Sequence, residues 1–356
     1  MDAPYYPCKP IYSLRALSLF LGEPAETLLR LSKSADHMYR LVPQKKKDGS
    51  LRETFDAYES LKRVQKKLVS RMFGKVRFPV YLHGGIRDFN SPRSIFSNAG
   101  VHAGSKTVVL QDVEDFFPSI RFEYVYSIYK GFFGFEHSVA EILARLTTRH
   151  GCVPQGACTS SYIANLVFWD VEPIVYRALA EKGVRYTRFA DDITASSAVE
   201  LSNDDIGDVI SRIVSMLRSK GCRQKRSKLN VRRRGQGLKK AEGFESLTVT
   251  GLTVSNFHGV GITQKERNKI RSSVKEVEIK AHMDMPWSDL EVLYQRAMGR
   301  VGRLLACKHP EGERLKNRLN TVKSFYDVSN MRKTKVVMGD NFVVLDVSGD
   351  VPPWEG

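Results

Sequence analysis

The spacing of apolar residues changes along the chain, and each change predicts an element. Leu14, Leu17 and Leu21 repeat at helical spacing after a capping Ser13, until Gly22 and Pro24 interrupt them. Leu28, Leu29 and Leu31 predict a second short helix. Leu61, Val64, Leu68 and Met72 form one stripe over residues 58–73. Residues 83–106, rich in Gly, Ser and Asn, predict loop. The run Val108 to Leu110 predicts a buried strand, and after Pro118 the pattern turns helical to about Gly131. Residues 136–150 predict a helix, and Gly151 to Phe168 a loop that enters another. Residues 185–197, RYTRFADDITASS, alternate, break and resume, which predicts strand, tight turn, strand. Asp204 to Gly221 reads as an amphipathic helix. Two short strands with a turn near Gly251 follow. From Gln264 to Asn330 the pattern is helical, with Leu290, Leu293, Ala297, Val301 and Leu304 on one stripe.

This pattern places charged groups where burial makes them costly. Asp112 ends the apolar strand, and an acid there is expensive unless something binds it. Asp191 and Asp192 sit at a hairpin tip. Crowded carboxylates resist ionising unless a cation lies between them, and Mg²⁺ is the natural hard partner. The Asp48-Gly49 pair marks a projecting turn flanked by Lys46 and Arg52, cations suited to a triphosphate. Gly156 permits close backbone approach to a ligand, and the helix start after it favours phosphate.

Composition narrows the class. The 356 residues carry 56 Lys and Arg against 39 Asp and Glu, a net charge of +17, with 42% hydrophobic content. That is a globular chain with a polyanionic partner, nucleic acid foremost. Arg223 to Lys240 holds nine basic and no acidic residues, which favours a backbone-binding surface. No apolar run suits a membrane span. Cys8, Cys152, Cys158, Cys222 and Cys307 form no C-x-x-C pair, and residues 1–10 lack a signal-peptide pattern. The expectation is reduced thiols in a cytosol.

The Asp112 strand, then Pro154-Gln155-Gly156, then Phe189-Ala190-Asp191-Asp192 stand in an order that resembles a reverse transcriptase over roughly residues 40–260. Two further pieces resemble the retron subgroup: Asn98-Ala99-Gly100-Val101-His102 fits its NAxxH element, and Val249-Thr250-Gly251 its VTG element. The resemblance implies an α+β right-hand polymerase. Residues 1–106 would form N-terminal helices and fingers, 107–263 the antiparallel-sheet palm with a fingers part at 130–165, 264–330 a helical thumb, and 331–356 a tail. It implies that Asp112, Asp191 and Asp192, with the backbone of Val113, hold two Mg²⁺ ions. Lys46, Arg52, Phe117, Gln155, Gly156 and Lys228 would contact the dNTP. Among these Phe117 matches the ribose gate and Lys228 the lysine that assists pyrophosphate departure, with Lys225 near enough to compete. Asn98, His102, Arg232, Arg233, Arg234, Val249, Thr250, Gly251, Arg296, Arg300 and Arg303 would contact RNA. The chain departs from the subgroup at Phe189, where Tyr is usual, and at Cys158 and Ser161, where prolines are.

The implied activity is RNA-directed DNA synthesis on a structured non-coding RNA, primed from a 2′-hydroxyl of the same RNA. The product would be branched single-stranded DNA that stays bound, in the bacterial cytoplasm. The implied role is antiphage defence with an accessory toxin or effector protein. A group II intron or diversity-generating reverse transcriptase is the alternative within enzymes, and a non-catalytic RNA-binding scaffold the alternative outside them.

Overall fold

The computed structural model describes residues 2–45, 49–88, 91–234, 239–240, 243–244, 247–256 and 259–337. Contacts divide the chain into two compact units, Met1–Thr263 and Gln264–Gly356.

The first unit opens with α1 (Leu14–Leu21), capped by the Ser13 hydroxyl and ended by Gly22 at φ +61°, and α2 (Ala25–Ser34). Strands β1 (Tyr39–Leu41) and β4 (Phe55–Ala57) pair, and between them β2 (Gln44–Lys45) pairs with β3 (Leu51–Arg52). The turn joining β2 to β3, with Lys46, lies outside the described residues. In α3 (Glu59–Arg71) the stripe Leu61, Val64 and Leu68 is fully buried. The stretch expected as loop contains α4 (Ile95–Val101), whose start is a capping box between Ser94 and Ser97.

Next come β5 (Thr107–Glu114), α5 (Phe116–Ser119), α6 (Phe122–Ser127), a π-helical turn Ile128–Phe132, α7 (His137–Thr147), α8 (Ser160–Leu166) and α9 (Glu172–Glu181). The hairpin is β6 (Arg185–Phe189) and β7 (Asp192–Ser197), followed by α10 (Asn203–Ser219), β8 (Arg223–Gln224) and β9 (Asn230–Arg233). Pairs β10 (Lys239–Lys240) with β11 (Gly243–Phe244), and β12 (Thr248–Val249) with β13 (Leu252–Thr253), close the unit.

The central sheet is antiparallel, in the order β6-β7-β5-β8, with β9 also on β5. Strand β5 lies at its middle because Val108, Val109 and Val113 are buried on both faces. One continuous apolar core joins this sheet to α3, α7, α8 and α10.

The second unit packs α11 (Gln264–His282), α12 (Trp287–Ala306) and α13 (Glu311–Val337), with Ile270, Val274, Leu290, Ala297, Val301, Leu304 and Leu315 in its core. The last helix runs through Val337, so residues 331–337 are helical rather than tail. The apolar run 342–347 lies outside the described residues. Among the described residues no helix is long and apolar enough to cross a membrane.

Candidate active site

Register brings two of the three acids together. Strand β5 runs against β7 so that Asp112 stands directly across from Asp192. Asp191 occupies the turn between β6 and β7, and its carbonyl accepts the Val113 N–H at 3.0 Å. The turn is tight because Ala190 adopts φ +56°, a left-handed conformation that costs a residue with a Cβ about 1 kcal/mol. Backbone packs directly beneath it. A Cβ on Gly84 would come within 2.6 Å of the Ala190 nitrogen, so only glycine fits there.

A buried ion pair supports the turn from inside. Arg188 is fully buried, with Nε 2.7 Å and Nη2 2.8 Å from the two carboxylate oxygens of Glu172. It also donates to the carbonyls of Ala164, Asn165 and Ala190. The Tyr186 hydroxyl donates to Glu172 at 2.7 Å. Phe116 and Phe168, stacked at 6°, flank the guanidinium. Burial alone would lower the Arg188 pKa; the charge and hydrogen bonds of Glu172 overcome that and raise it, keeping the side chain protonated.

Asp112 borders two cavities. One, about 370 Å³, is shared with Arg52, Phe117, Gln155, Asp191, Lys225 and Lys228. The other, about 380 Å³, is shared with Asp192, Asn230, Arg232, Thr248 and Thr250. The acids feel one another across this wall. Asp191 is raised above the ordinary carboxylate range, first by burial and then by the charge of Asp112. Asp192 opens onto the second cavity, yet enough protein surrounds it that burial is still the largest cause of its rise to about 6, followed by the charges of Asp191 and Asp112. Lys228 hydrogen-bonds Asp112 at 2.5 Å, and that bond raises its own pKa.

Among the described residues no three acidic, histidine or cysteine side chains already converge on one point as a closed metal cage. The donor set nevertheless fits a hard divalent cation: three carboxylates in one cleft wall, two of them held protonation-prone by burial first and like charge second. Val113, with its side chain buried, can offer only its carbonyl.

Other expected site residues fall in different places. Arg52 is exposed on β3 and Phe117 half-buried, both on the first cavity. Gln155 lines it too, while its carbonyl accepts from Phe55 N–H at 2.7 Å. Gly156 does not line it. At φ +106° the space of its missing Cβ faces the Phe55 carbonyl, 3.1 Å away, so glycine is required where this loop passes β4.

The RNA contacts expected of Asn98, His102 and Val249 are corrected by burial: they are 1%, 0% and 1% exposed. His102 is a bolt. Its Nδ1 lies 2.7 Å from Ser196 Oγ and its Nε2 2.8 Å from Thr187 Oγ1, tying α4 to the β6–β7 hairpin. Burial, then the Arg185 charge, lowers its pKa to about 3, so it is neutral. Thr250 donates to the Ile95 carbonyl from the β12–β13 turn, beside an exposed Gly251. Arg232 donates to Asn230 and Thr248, and Arg233 to Asn203 and the Leu201 carbonyl, leaving Arg234 the most exposed of the three. In the second unit Arg296 is exposed, Arg300 half-buried, and Arg303 bonded to Glu266 at 2.7 Å.

Sequence reasoning passed over Glu172, Tyr186, Arg188 and Asn230. A Glu on an apolar helix start, 16 residues from an Arg in an apolar strand, was the one available signal for the buried pair.

Residues 44–263 match the family described as reverse transcriptase (RNA-dependent DNA polymerase). The retron Se72 reverse transcriptase of Salmonella heidelberg is 32% identical over 95% of this chain and 86% of its own length. The retron Ec48 reverse transcriptase of Escherichia coli is 30% identical over 88% and 77%, and retron Ec86 reverse transcriptase of the same species 26% identical over 71% and 74%. The chain belongs to the reverse transcriptases, and within them to those of retrons. It is therefore an RNA-directed DNA polymerase that uses dNTPs and a divalent metal, with a right-hand α+β fold.

Proposed function

We propose that the Asp191-side cavity takes the incoming dNTP and the Asp192-side cavity takes the primer terminus, with transfer at the carboxylate between them. The observation that carries this reading is that Asp112 stands on the wall of both cavities. A primer hydroxyl oxygen bonds to the α-phosphorus. The bond from that phosphorus to the β-phosphate oxygen breaks, its electron pair leaves with pyrophosphate, and the hydroxyl proton passes to solvent.

Asp112, Asp191, Asp192 and the Val113 carbonyl would hold two Mg²⁺ ions. Bound there, such ions activate the attacking hydroxyl and neutralise the leaving group. The protein does the positioning. Arg52 gives a bidentate hold on phosphate from β3. Lys228, released from Asp112, turns its ammonium toward the β- and γ-phosphates. Phe117 fills the space that a ribose 2′-hydroxyl would need, and a steric clash discriminates against ribonucleotides. In this reading residues 264–330 are the thumb, and Arg234, Arg296 and Arg300 meet RNA backbone.

The template is a structured non-coding RNA that primes from its own 2′-hydroxyl, giving branched single-stranded DNA in the bacterial cytoplasm. The system acts in antiphage defence with an accessory effector protein. The test is synthesis of labelled DNA by the purified chain with its RNA, dNTPs and Mg²⁺. Full-length product sensitive to a 2′,5′-debranching enzyme is expected, and none with Asp191→Asn. A wild type that makes no DNA would end the reading.

A further inference from the structure

Beside the nucleotide cavity lies another of about 540 Å³, lined by Glu114, Arg218, Arg223, Gln224, Lys225 and Arg226, with Val214 and Ser227. Its cations come from three places: the last turn of α10 (Arg218), strand β8 (Arg223) and the turn after it. Strand β8 is held on β5 by Val113 opposite Gln224 and Glu114 opposite Arg223. The Lys225 N–H donates to the Asp112 carbonyl at 2.8 Å, which fixes the loop against the catalytic strand.

Two features set this pocket apart. Lys225 lines both it and the nucleotide cavity. Among the described residues, moreover, none of the Arg218, Arg223, Lys225 and Arg226 side chains has an ion-pair partner or side-chain hydrogen bond. Several cations elsewhere in this unit, by contrast, are paired: Arg63 and Lys67 with Glu23, Lys182 and Arg212 with Asp208, Lys220 with Asp170. Four unpaired cations around one small hollow repel one another, and a compact polyanion would relieve all of them at once. Glu114 shares the hollow and pairs with none of them.

We propose that this pocket receives the pyrophosphate released from the nucleotide cavity, with Lys225 as the handover point. The inference rests on the polymerase reading above. Pyrophosphate leaves the nucleotide cavity as a compact polyanion, which a cationic surface on its route to solvent attracts. Lys228 and Arg52 hold it at its birthplace, and the unpaired cations offer a lower-energy site on the way to solvent. Product release of this kind limits turnover in many enzymes. A run of RNA phosphates is the competing occupant, but a hollow of this volume shared with the nucleotide cavity suits a small polyanion better than a strand.

The test is inhibition of DNA synthesis by added inorganic pyrophosphate, on the full chain with its RNA. Arg218→Ala combined with Arg226→Ala is expected to raise the inhibition constant about tenfold, the weight of one lost charge-assisted contact, with KM for dNTP unchanged. Glu114→Gln is expected to lower it, and Arg218→Lys combined with Arg226→Lys to retain wild-type inhibition. An unchanged inhibition constant in both the double Ala variant and Glu114→Gln overturns the inference while the polymerase reading stands. Weakened RNA binding with unchanged inhibition overturns it in favour of RNA backbone. A wild type that makes no DNA removes the polymerase reading, and this inference with it.

Discussion

The ammonium of Lys228 sits 2.5 Å from Oδ2 of Asp112, so the cation expected at the leaving phosphates is bonded to the carboxylate that both cavities share. A divalent ion and Lys228 then compete for one oxygen. Lys228→Ala is expected to lower the Mg²⁺ concentration needed for half-maximal activity, because a positive charge beside the site is gone. The maximal rate is expected to fall about a hundredfold, as when a positioned acid is removed. A metal titration of primer extension reads both numbers.

Asp192 carries a pH dependence with a definite sign. Its folded pKa of about 6 lies above the ordinary 3.8, so the folded state holds the proton more tightly than the unfolded chain. Metal-free protein has the full benefit of that proton below the ordinary value and loses it as pH rises through about 6. Mg²⁺ is therefore expected to raise Tm by a few degrees near neutral pH and by much less near about pH 5. Asp192→Asn is expected to stabilise the metal-free protein near neutral pH. Thermal melts at both pH values, with and without metal, decide it.

Phe117 lies on the nucleotide cavity with its ring tilted at 49° to Phe116. Phe117→Ala is expected to raise ribonucleotide incorporation relative to dNTP by about 10- to 100-fold, the usual worth of a steric wall. Single-nucleotide incorporation with matched dNTP and rNTP measures the ratio. Unchanged selectivity would remove Phe117 from this role.

His102→Ala is expected to cost roughly 2–3 kcal/mol of stability, since it leaves the buried hydroxyls of Thr187 and Ser196 without their partner. RNA affinity of the folded fraction, and its salt slope, are expected to stay as in the wild type. Denaturant melts and salt-dependent RNA binding separate the two effects.

Glu172→Gln removes the counter-charge of a fully buried arginine. The expected loss is about 3–5 kcal/mol, because an unpaired buried guanidinium remains. Tyr186→Phe deletes one hydrogen bond of the same group and is expected to cost about 1 kcal/mol. Equilibrium unfolding checks the order of the two.

Local signals account for what was legible along the chain. Ser13 and Gly22 bound α1 by capping chemistry, the Leu61 stripe foretold the buried face of α3, and alternation around Asp191 and Asp192 foretold the hairpin. The helix over Ile95–Val101 escaped because seven residues give too little periodicity, and its cap uses serine at both positions. Motif order likewise singled out Asp112, Asp191 and Asp192, two of which the register then sets directly opposite each other.

What residue type and spacing could not decide was which way each side chain points. Asn98 and His102 have the chemistry of RNA-binding residues, yet packing of α4 on the hairpin buries them. The Arg188–Glu172 pair, the sharing of Asp112 between two cavities and the unpaired cations around Lys225 join segments distant in sequence. Such meetings follow from strand register and helix packing, which depend on the whole core at once, whereas caps, turns and stripes depend on a few neighbouring residues.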